Sequence, residues 1–199
     1  MWTGGPVWDD FSHRDRHSTG SYPAETGRGR GDYGRMFTMK TLFIMRHADA
    51  TWEEDRWPDF DRPLNEYGEQ QAPQMGRRLR MAGLSPDGIV CSAALRTHQT
   101  AKHVATELGC NAPVQVRHEL YMATIREWER TVCNLPEEWG AALCVAHNPG
   151  VQELIIALRQ RATRVPPATL AIVSLPIDHW GEFNRSTTID AIDVWYPER

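Results

Sequence analysis

The stretch Thr41-Leu42-Phe43-Ile44-Met45-Arg46-His47-Ala48-Asp49 decides the fold predicted for this chain. Its apolar half is too short for an independent helix and does not alternate with polar residues, which is typical of a central strand covered on both faces. Arg46 and His47 follow at once. In open α/β sheets ligands bind beyond the carboxyl ends of the strands, so this pair lies where such a fold places its chemistry. A strand-end arginine and a surface histidine without a function would give the same local pattern.

Strand-like and helix-like segments alternate along the rest of the chain. Short apolar runs predict further strands over residues 88–91, 114–116, 141–146, 170–175 and 191–195. Apolar residues at helical spacing predict helices over residues 66–81, 92–108 and 121–133, and a fourth after Gly150. Asn65 and Ser92 are the predicted N-caps, and Gly83 and Gly109 the predicted helix ends. The alternation predicts a three-layer α/β/α sandwich with a mainly parallel central sheet.

Residues 1–38 differ in composition from the rest of the chain. They are rich in Gly, Arg, Asp, Ser and Tyr and show no hydrophobic periodicity, so they bury too little apolar surface to fold. We expect a disordered Gly/Arg-rich leader or a start codon assigned too early, because Met36 and Met39 directly precede the first strand. An RNA-contacting tail, carried by the Gly-Arg repeats of residues 27–31, is the alternative. We expect residues 39–199 to form one domain.

Composition excludes several classes of protein. The net charge is −4 and charges of both signs are mixed, so no basic face for nucleic acid is expected. No apolar run approaches the roughly 18 residues of a membrane span. The cysteines lie far apart in or beside apolar segments, which predicts reduced, buried thiols rather than disulfides or a zinc site; they are Cys91, Cys110, Cys133 and Cys144. We expect a cytoplasmic protein, and the oligomeric state is not predicted.

Cationic or imidazole side chains follow three of the predicted strands. The set consists of Arg46, His47, Arg96 and His147. If these strands are neighbours in one sheet, the four side chains share one edge with helix N-termini that begin near Ser92 and Asn148. Free backbone N–H groups and the positive ends of helix dipoles make such an edge attractive to a dianion. A phosphoryl group is the ligand that we predict there.

Four motifs of the chain resemble those of the histidine phosphatase superfamily, which includes the phosphoglycerate mutases. They are Arg46-His47-Ala48-Asp49, Asp61-Arg62-Pro63-Leu64-Asn65 with Gly68, Ser92 to Arg96 followed by Gln99-Thr100-Ala101, and His147-Asn148-Pro149-Gly150. They occur in the order of the family, from about residue 40 to the end, and look like its short SixA-type branch of phosphohistidine phosphatases. Ala48 stands where the family usually has glycine, so the backbone there cannot use a conformation that only glycine tolerates.

The resemblance implies a mechanism. His47, as a neutral imidazole, would attack phosphorus in line and form a phosphohistidine that water then hydrolyses. Arg46, Arg96 and His147 would hold the equatorial oxygens, where charge accumulates in the transition state. Further substrate contacts are expected from Asp49, Arg62, Ser92 and Asn148. No metal or other cofactor is implied, and the chain has no H-E-x-x-H motif or acidic metal cluster.

The general acid is the least defined part of this prediction. In many relatives it is a glutamate between the second arginine and the second histidine, and Glu119 is the candidate in this chain. An ordinary surface glutamate is the alternative, and Asp49 and Asp61 are further candidates. An alkoxide leaving group needs a proton donor, whereas the imidazole of a phosphohistidine leaves more easily.

Three functions are compatible with these residues. The first is a metal-independent phosphatase that acts through His47 on protein phosphohistidine or on a small phosphate monoester. A chain this short has little room for capping insertions, which favours an open groove. The second is phosphotransfer of the phosphoglycerate mutase type, which needs extra elements, and no such insertion follows Arg96. The third is a non-catalytic phosphate-binding protein, which the intact set of Arg46, His47, Arg96 and His147 disfavours.

Overall fold

The structure, a computed structural model, describes residues 28–30, 36–52, 56–109 and 112–198. Its strands are β1 (Arg28–Arg30), β2 (Met36–Thr38), β3 (Lys40–Arg46), β4 (Gly88–Ser92), β5 (Val114–Arg117), β6 (Ala141–Ala146), β7 (Leu170–Leu175) and β8 (Ala191–Trp195). Its helices are α1 (Gly68–Met81), α2 (Leu95–Leu108), α3 (Ile125–Cys133) and α4 (Gly150–Arg159). Short 3₁₀ turns lie at Asp59–Asp61, His118–Leu120 and Trp180–Glu182.

A six-stranded sheet forms the centre of the molecule, with strand order β5-β4-β6-β3-β7-β8. Strands β5, β4, β6 and β3 are parallel, and β7 is antiparallel to both β3 and β8. Helices cover both faces of this sheet, so the predicted mainly parallel α/β/α sandwich is confirmed. The three strands that end in the predicted site residues, β4, β6 and β3, are neighbours in this order.

Strand register places one end of each of the six strands at the same edge of the sheet, where Arg117 at the end of β5 lies opposite Ser92 at the end of β4. Arg46 at the end of β3 lies opposite Ala146 at the end of β6, and β4 ends beside them. On the other side of β3, Met45 lies opposite Leu170, where β7 begins, and Leu170 lies opposite Trp195, where β8 ends. We call this the catalytic edge, because all predicted catalytic side chains follow strands that end there; Glu119 follows β5, the outermost of these strands.

The alternation of side chains along β3 divides the apolar core into two layers. Leu42 and Ile44 pack with residues of α3 and α4, whereas Phe43 and Met45 pack with residues of α1 and α2. Successive residues of a strand point to opposite faces, and here both faces are covered. This explains why the stretch is continuously apolar, and burial of each such side chain contributes about 1.5–3 kcal/mol.

Several helix boundaries differ from the predicted ones. The helix predicted from residue 66 begins at Gly68, and Tyr67 rather than Asn65 is its N-cap; Asn65 Oδ1 nevertheless accepts a 2.8 Å hydrogen bond from the backbone N–H of Gly68. The prediction that Ser92 caps α2 is wrong: Ser92 is the last residue of β4, and Ala94 is the N-cap. The predicted helix over 121–133 begins only at Ile125, because Thr124 and Glu127 form a reciprocal capping box there. The ends predicted at Gly83 and Gly109 are confirmed by positive φ angles of 70° and 65°.

Most of the predicted leader, residues 1–27 and 31–35, lies outside the described residues, as does Cys110. Within the leader, β1 and β2 pair as a two-stranded antiparallel sheet. Cys91, Cys133 and Cys144 are free thiols, and burial raises the pKa of Cys91 to about 11 and that of Cys144 to about 12. Among the helices in the described part of the chain, none is long and apolar enough to cross a lipid bilayer.

Candidate active site

His47 directly follows β3, and the sheet edge fixes its backbone from two sides. Its N–H donates to the carbonyl of Ala146 and its carbonyl accepts from the N–H of Ala168, both at 3.0 Å. The residue is only 9% exposed. Nδ1 lies 2.7 Å from the carbonyl oxygen of Ala48. Because a carbonyl can only accept, Nδ1 carries the proton, and Nε2 has a free electron pair.

Burial lowers the pKa of His47 to about 3, against an ordinary value of 6.5. The charges of Arg96, Arg46 and Arg62 lower the pKa further, whereas the hydrogen bond to Ala48 opposes them. His47 is therefore neutral near pH 7, the protonation state that a nucleophilic imidazole requires.

His147 follows β6, and its ring centroid lies 5.2 Å from that of His47. Its Nε2 is 2.9 Å from the hydroxyl oxygen of Ser92, which itself accepts a long bond from the N–H of Ala94. The hydroxyl hydrogen of Ser92 is thus available to Nε2. Burial lowers the pKa of His147 to about 2, with further contributions from His47 and Arg96. A neutral ring that accepts at Nε2 has its proton at Nδ1 and donates there.

Arg96 lies in the first turn of α2, is 2% exposed, and donates two hydrogen bonds to Asp59. One bond goes to the Asp59 carbonyl and the other, of 3.0 Å, to its carboxylate. Arg62 also binds this carboxylate, and Tyr121 donates its hydroxyl to it at 2.7 Å. Burial alone would raise the pKa of Asp59, but the bonds from Tyr121 and Arg96 and the nearby Arg62 charge lower it to about 2. Asp59 is therefore an anion near neutral pH.

Four buried N–H donors of this site have no hydrogen-bond partner among the residues that the structure describes. They are Arg46 Nε, Arg62 Nε, Arg96 Nε and His147 Nδ1. An unpaired buried donor costs about 1–3 kcal/mol, and such groups are rare outside functional sites. Because they belong to side chains that surround His47, the donor set fits the oxygens of a tetrahedral oxyanion.

The loop after β3 is held by side chains of α1 and α2. The N–H of Ala48 donates to Thr100 Oγ1 at 3.0 Å, and the Thr100 hydroxyl donates to the carbonyl of Arg96 at 2.7 Å. Thr100 thus connects the loop that follows His47 to Arg96, a contact that the sequence analysis missed. Its position four residues after Arg96, on the same helix face, was the available signal.

Close backbone approach accounts for the glycines of two motifs. A Cβ atom on Gly68 would lie 2.0 Å from the carbonyl oxygen of Asp49, and one on Gly150 would lie 2.0 Å from that of Ala123. Both positions exclude any side chain without backbone movement. Ala48, by contrast, is fully buried and is not among the residues with positive φ, so its backbone does not require the glycine usual in the family.

The predicted substrate-binding residues differ in their surroundings. Asp49 accepts a 2.8 Å bond from Asn65 Nδ2, and Asn148 Nδ2 donates at 3.0 Å to the carbonyl of Val165. Arg46 Nη1 donates to the same carbonyl at 2.8 Å. Asn148 therefore orients the segment that also binds Arg46. Ser92 contacts His147 through its hydroxyl group.

Glu119 is not brought together with the other predicted catalytic residues. It is exposed in the 3₁₀ turn His118–Leu120 and lines a separate cleft of about 360 Å³ with Arg117, Arg130 and Asn134. Within the described ranges no hydrogen bond or ion pair involves its carboxylate. Asp61, a reserve candidate for the acid, is exposed in the turn that contains Asp59.

A metal site usually needs three or more His, Cys, Asp or Glu side chains close together. Among the described residues, 28–30, 36–52, 56–109 and 112–198, no such group is found.

Residues 42–169 match the family model of the histidine phosphatase superfamily, branch 1, and the chain belongs to this superfamily. Among solved structures it is similar to a chain assigned as the phosphohistidine phosphatase SixA of Nakamurella multipartitia. The identity is 29%, the match covers 80% of this chain and 96% of the other, and the TM-score is 0.66. The fold is also that of the protein histidine phosphatase SixA solved with tungstate, at 23% identity, 76% and 95% coverage and a TM-score of 0.65. The resemblance to the SixA-type branch is thereby confirmed.

Curated relatives include the protein named probable phosphoglycerate mutase GpmB in Erwinia tasmaniensis. It is 30% identical over 142 residues, which are 69% of this chain and 65% of the relative. The chain thus spans just under two thirds of the length of the curated relatives that it matches.

Proposed function

We propose that this protein is a metal-independent phosphatase that acts through a phosphohistidine on His47, with protein phosphohistidine as its substrate. The observation that carries the proposal is the set of four unpaired buried donors around a neutral His47 whose Nε2 is free. The similarity to a chain assigned as a phosphohistidine phosphatase supports the substrate class.

The proposed reaction has two steps. In the first, the Nε2 electron pair of His47 attacks phosphorus in line, the bond from phosphorus to the leaving group breaks, and the leaving group takes its electron pair. In the second, water attacks the phosphorus of the phosphohistidine, the P–Nε2 bond breaks, and the water proton passes to solvent, which gives orthophosphate. Arg46, Arg96 and His147 stabilise the charge on the equatorial oxygens in both steps, and Arg62 adds a further guanidinium.

The carboxylates near the site favour an N–P substrate. Asp59 is ionised, with a pKa of about 2, and is bonded to Arg62, Arg96 and Tyr121, so it has no proton to donate near pH 7. Glu119 lines a separate cleft. An alkyl ester needs a proton donor for its alkoxide, but a phosphohistidine ring, with a pKa near that of histidine at about 6.5, can carry its own proton and leave as neutral imidazole.

Hydrolysis of a chromogenic aryl phosphate and of a phosphohistidine peptide, each in EDTA, tests this function. We expect turnover of both by the wild type, a phosphohistidine that can be trapped by a denaturing quench at alkaline pH, where the P–N bond is stable, and no turnover by His47→Ala. Absence of turnover by the wild type contradicts the phosphatase assignment, and loss of activity in EDTA contradicts the metal-independent mechanism.

A mutase is the second candidate, because the curated relatives are named phosphoglycerate mutases. The described chain between α2 and β6 contains only β5, a 3₁₀ turn and α3, without a larger cap over the site. We therefore expect no isomerisation of 3-phosphoglycerate in the presence of a bisphosphoglycerate donor. Conversion of one monophosphate into the other, faster than release of orthophosphate, would favour the mutase instead.

A further inference from the structure

A second cleft opens at the catalytic edge, beside the phosphate site. Its volume is about 770 Å³, and its walls come from the start of α1, the end of α4, the segment 161–167 and the residues after β8. Arg159, Arg161 and Arg164 contribute three guanidinium groups to the lining, and Tyr67 and Tyr196 contribute aromatic rings. We call it the arginine cleft.

The arginine cleft has an excess of positive charge. Asp49 is the carboxylate among its described lining residues, and its Oδ2 is bonded to Asn65. Arg159 donates to the Thr163 hydroxyl at 3.2 Å, and Arg161 and Arg164 are exposed. Over the described parts of the chain, none of the three arginines has a carboxylate partner. The whole chain has a net charge of −4, so this cluster is a local feature rather than a result of basic composition.

The arginine cleft and the phosphate site share a wall. The carbonyl of Val165, within the segment that contains Arg161 and Arg164, accepts bonds from Arg46 at 2.8 Å and from Asn148 at 3.0 Å. A few residues later, the N–H of Ala168 donates to the carbonyl of His47 at 3.0 Å. On the other side, Asp49 follows His47 by two residues and lines the cleft. The arginine cleft therefore lies next to the phosphate site at the catalytic edge.

We infer that the arginine cleft binds an acidic stretch of the polypeptide that carries the phosphohistidine, and so selects the protein substrate. The inference rests on the proposed function, because it names what surrounds the phosphorylated residue. Exposed guanidinium groups without partners attract carboxylates, and the planar fork of arginine binds them through two parallel hydrogen bonds. An open cleft with exposed arginines suits a polypeptide segment better than a small molecule that must be enclosed. Tyr67 and Tyr196 provide contact area for its backbone and aliphatic groups.

Two phosphohistidine peptides test the inference. They are identical except that three aspartates beside the phosphohistidine in one are asparagines in the other. The readout is the ratio of kcat/KM for the acidic peptide to that for the neutral peptide. We expect a ratio of about ten for the wild type, equivalent to about 1.4 kcal/mol, and a ratio near one for Arg161→Gln/Arg164→Gln. Arg80→Gln, a change at an exposed arginine of α1 outside the cleft, is the matched control and should keep the wild-type ratio.

The outcomes separate this inference from the proposed function. A ratio near one in the wild type, or a ratio that survives the double substitution, overturns the inference and leaves the phosphatase intact. If the enzyme hydrolyses an aryl phosphate but neither peptide, both the assignment of phosphohistidine as the substrate and this inference are contradicted. If the double variant fails to fold, the same kcat/KM ratio is measured for each single variant and for the wild type at high salt. A ratio that stays at the wild-type value in all of these measurements overturns the inference. Inhibition by a small bisphosphate, without inhibition by the unphosphorylated acidic peptide, overturns the assignment to a polypeptide.

Discussion

Arg96 and Asp59 are joined by two hydrogen bonds, one to the Asp59 carbonyl and one of 3.0 Å to its carboxylate. A carboxylate thus lies against the guanidinium that we propose as a ligand of the phosphoryl group. The Asp59 carboxylate holds the guanidinium of Arg96, a residue that is only 2% exposed, in place. It also reduces the positive charge that Arg96 presents to the substrate.

Replacement of Asp59 should separate these two effects. We expect Asp59→Asn to lower the unfolding free energy by about 1–3 kcal/mol, because charged donors lose an ionised acceptor, and to strengthen inhibition by orthophosphate several-fold. Thermal unfolding measures the change in stability, and the inhibition constant for orthophosphate measures the change in binding. Asp61→Asn, a change at the exposed neighbour in the same turn, is the control and should alter neither. Weaker inhibition by orthophosphate in Asp59→Asn would show that Asp59 positions Arg96 rather than competes with the substrate.

Ser92 fixes the tautomer of His147, so its hydroxyl should matter for catalysis without contacting the reacting atoms. We expect Ser92→Ala to lower kcat for an aryl phosphate by about 10–100-fold, as is usual when a donor to a transition state loses its orientation. Steady-state kinetics measure the effect. The control is Ser85→Ala, at an exposed serine away from the site. An unchanged kcat in Ser92→Ala would mean that packing alone orients the His147 ring.

Gly68 allows the start of α1 to pack against the carbonyl of Asp49. Because an added Cβ would lie 2.0 Å from that oxygen, we expect Gly68→Ala to lower the unfolding free energy by about 2–4 kcal/mol. Denaturant unfolding measures the loss. Gly181→Ala, where a Cβ would meet no atom within 4 Å, should stay within about 0.5 kcal/mol of the wild type. Equal effects of the two substitutions would contradict the close approach.

The buried histidines should make stability depend on pH. His47 and His147 have pKa values of about 3 and about 2 in the folded protein, against 6.5 when unfolded. Below pH 6.5 the unfolded chain binds more protons than the folded protein. The unfolding free energy therefore decreases as the pH is lowered, by up to about 1.4 kcal/mol per pH unit for each histidine. We expect His147→Gln to flatten this slope between pH 6.5 and pH 4 in denaturant titrations, whereas His98→Gln, at an exposed histidine, should not. Parallel slopes for all three proteins would contradict the burial argument.

The role of Glu119 can be decided by substrate comparison. Because its carboxylate is exposed in a separate cleft, we expect Glu119→Gln to change kcat less than about twofold for both an alkyl phosphate and a phosphohistidine peptide. Glu138→Gln, at another exposed glutamate, is the control. A tenfold or larger loss that is confined to the alkyl phosphate would identify Glu119 as the proton donor, as the sequence analysis predicted.

The parts of the fold that depend on apolar runs were predictable from the sequence. The bounds of β6, β7 and β8 agree with the predicted ones, because a doubly covered or paired strand leaves a continuous or alternating apolar pattern. The start of α2 was not predictable in the same way. Ser92 has the chemistry of an N-cap, but its strand pairing with β5 takes precedence over that local preference.

The grouping of Arg46, His47, Arg96 and His147 followed from their positions at strand ends. The contact of Asp59 with Arg96 and Tyr121 did not, because it joins a loop to residues that are distant in sequence. Acidic residues are frequent in that loop, and no spacing distinguishes Asp59 from Asp61. The unpaired donors of the site likewise depend on three-dimensional packing and have no sequence signal.

The antiparallel orientation of β7 has a practical consequence for the preparation of this protein, because it determines where the chain leaves the sheet. Because β8 ends at the catalytic edge, the chain leaves the sheet at Tyr196 and Pro197, which line the arginine cleft. Strand β3 begins at the opposite edge, next to β2. A segment fused directly after Glu198 would therefore begin beside the mouth of the cleft, where we expect it to compete with a polypeptide substrate, most strongly if it is acidic. Recombinant protein for substrate profiling is best prepared with a removable tag at the amino terminus.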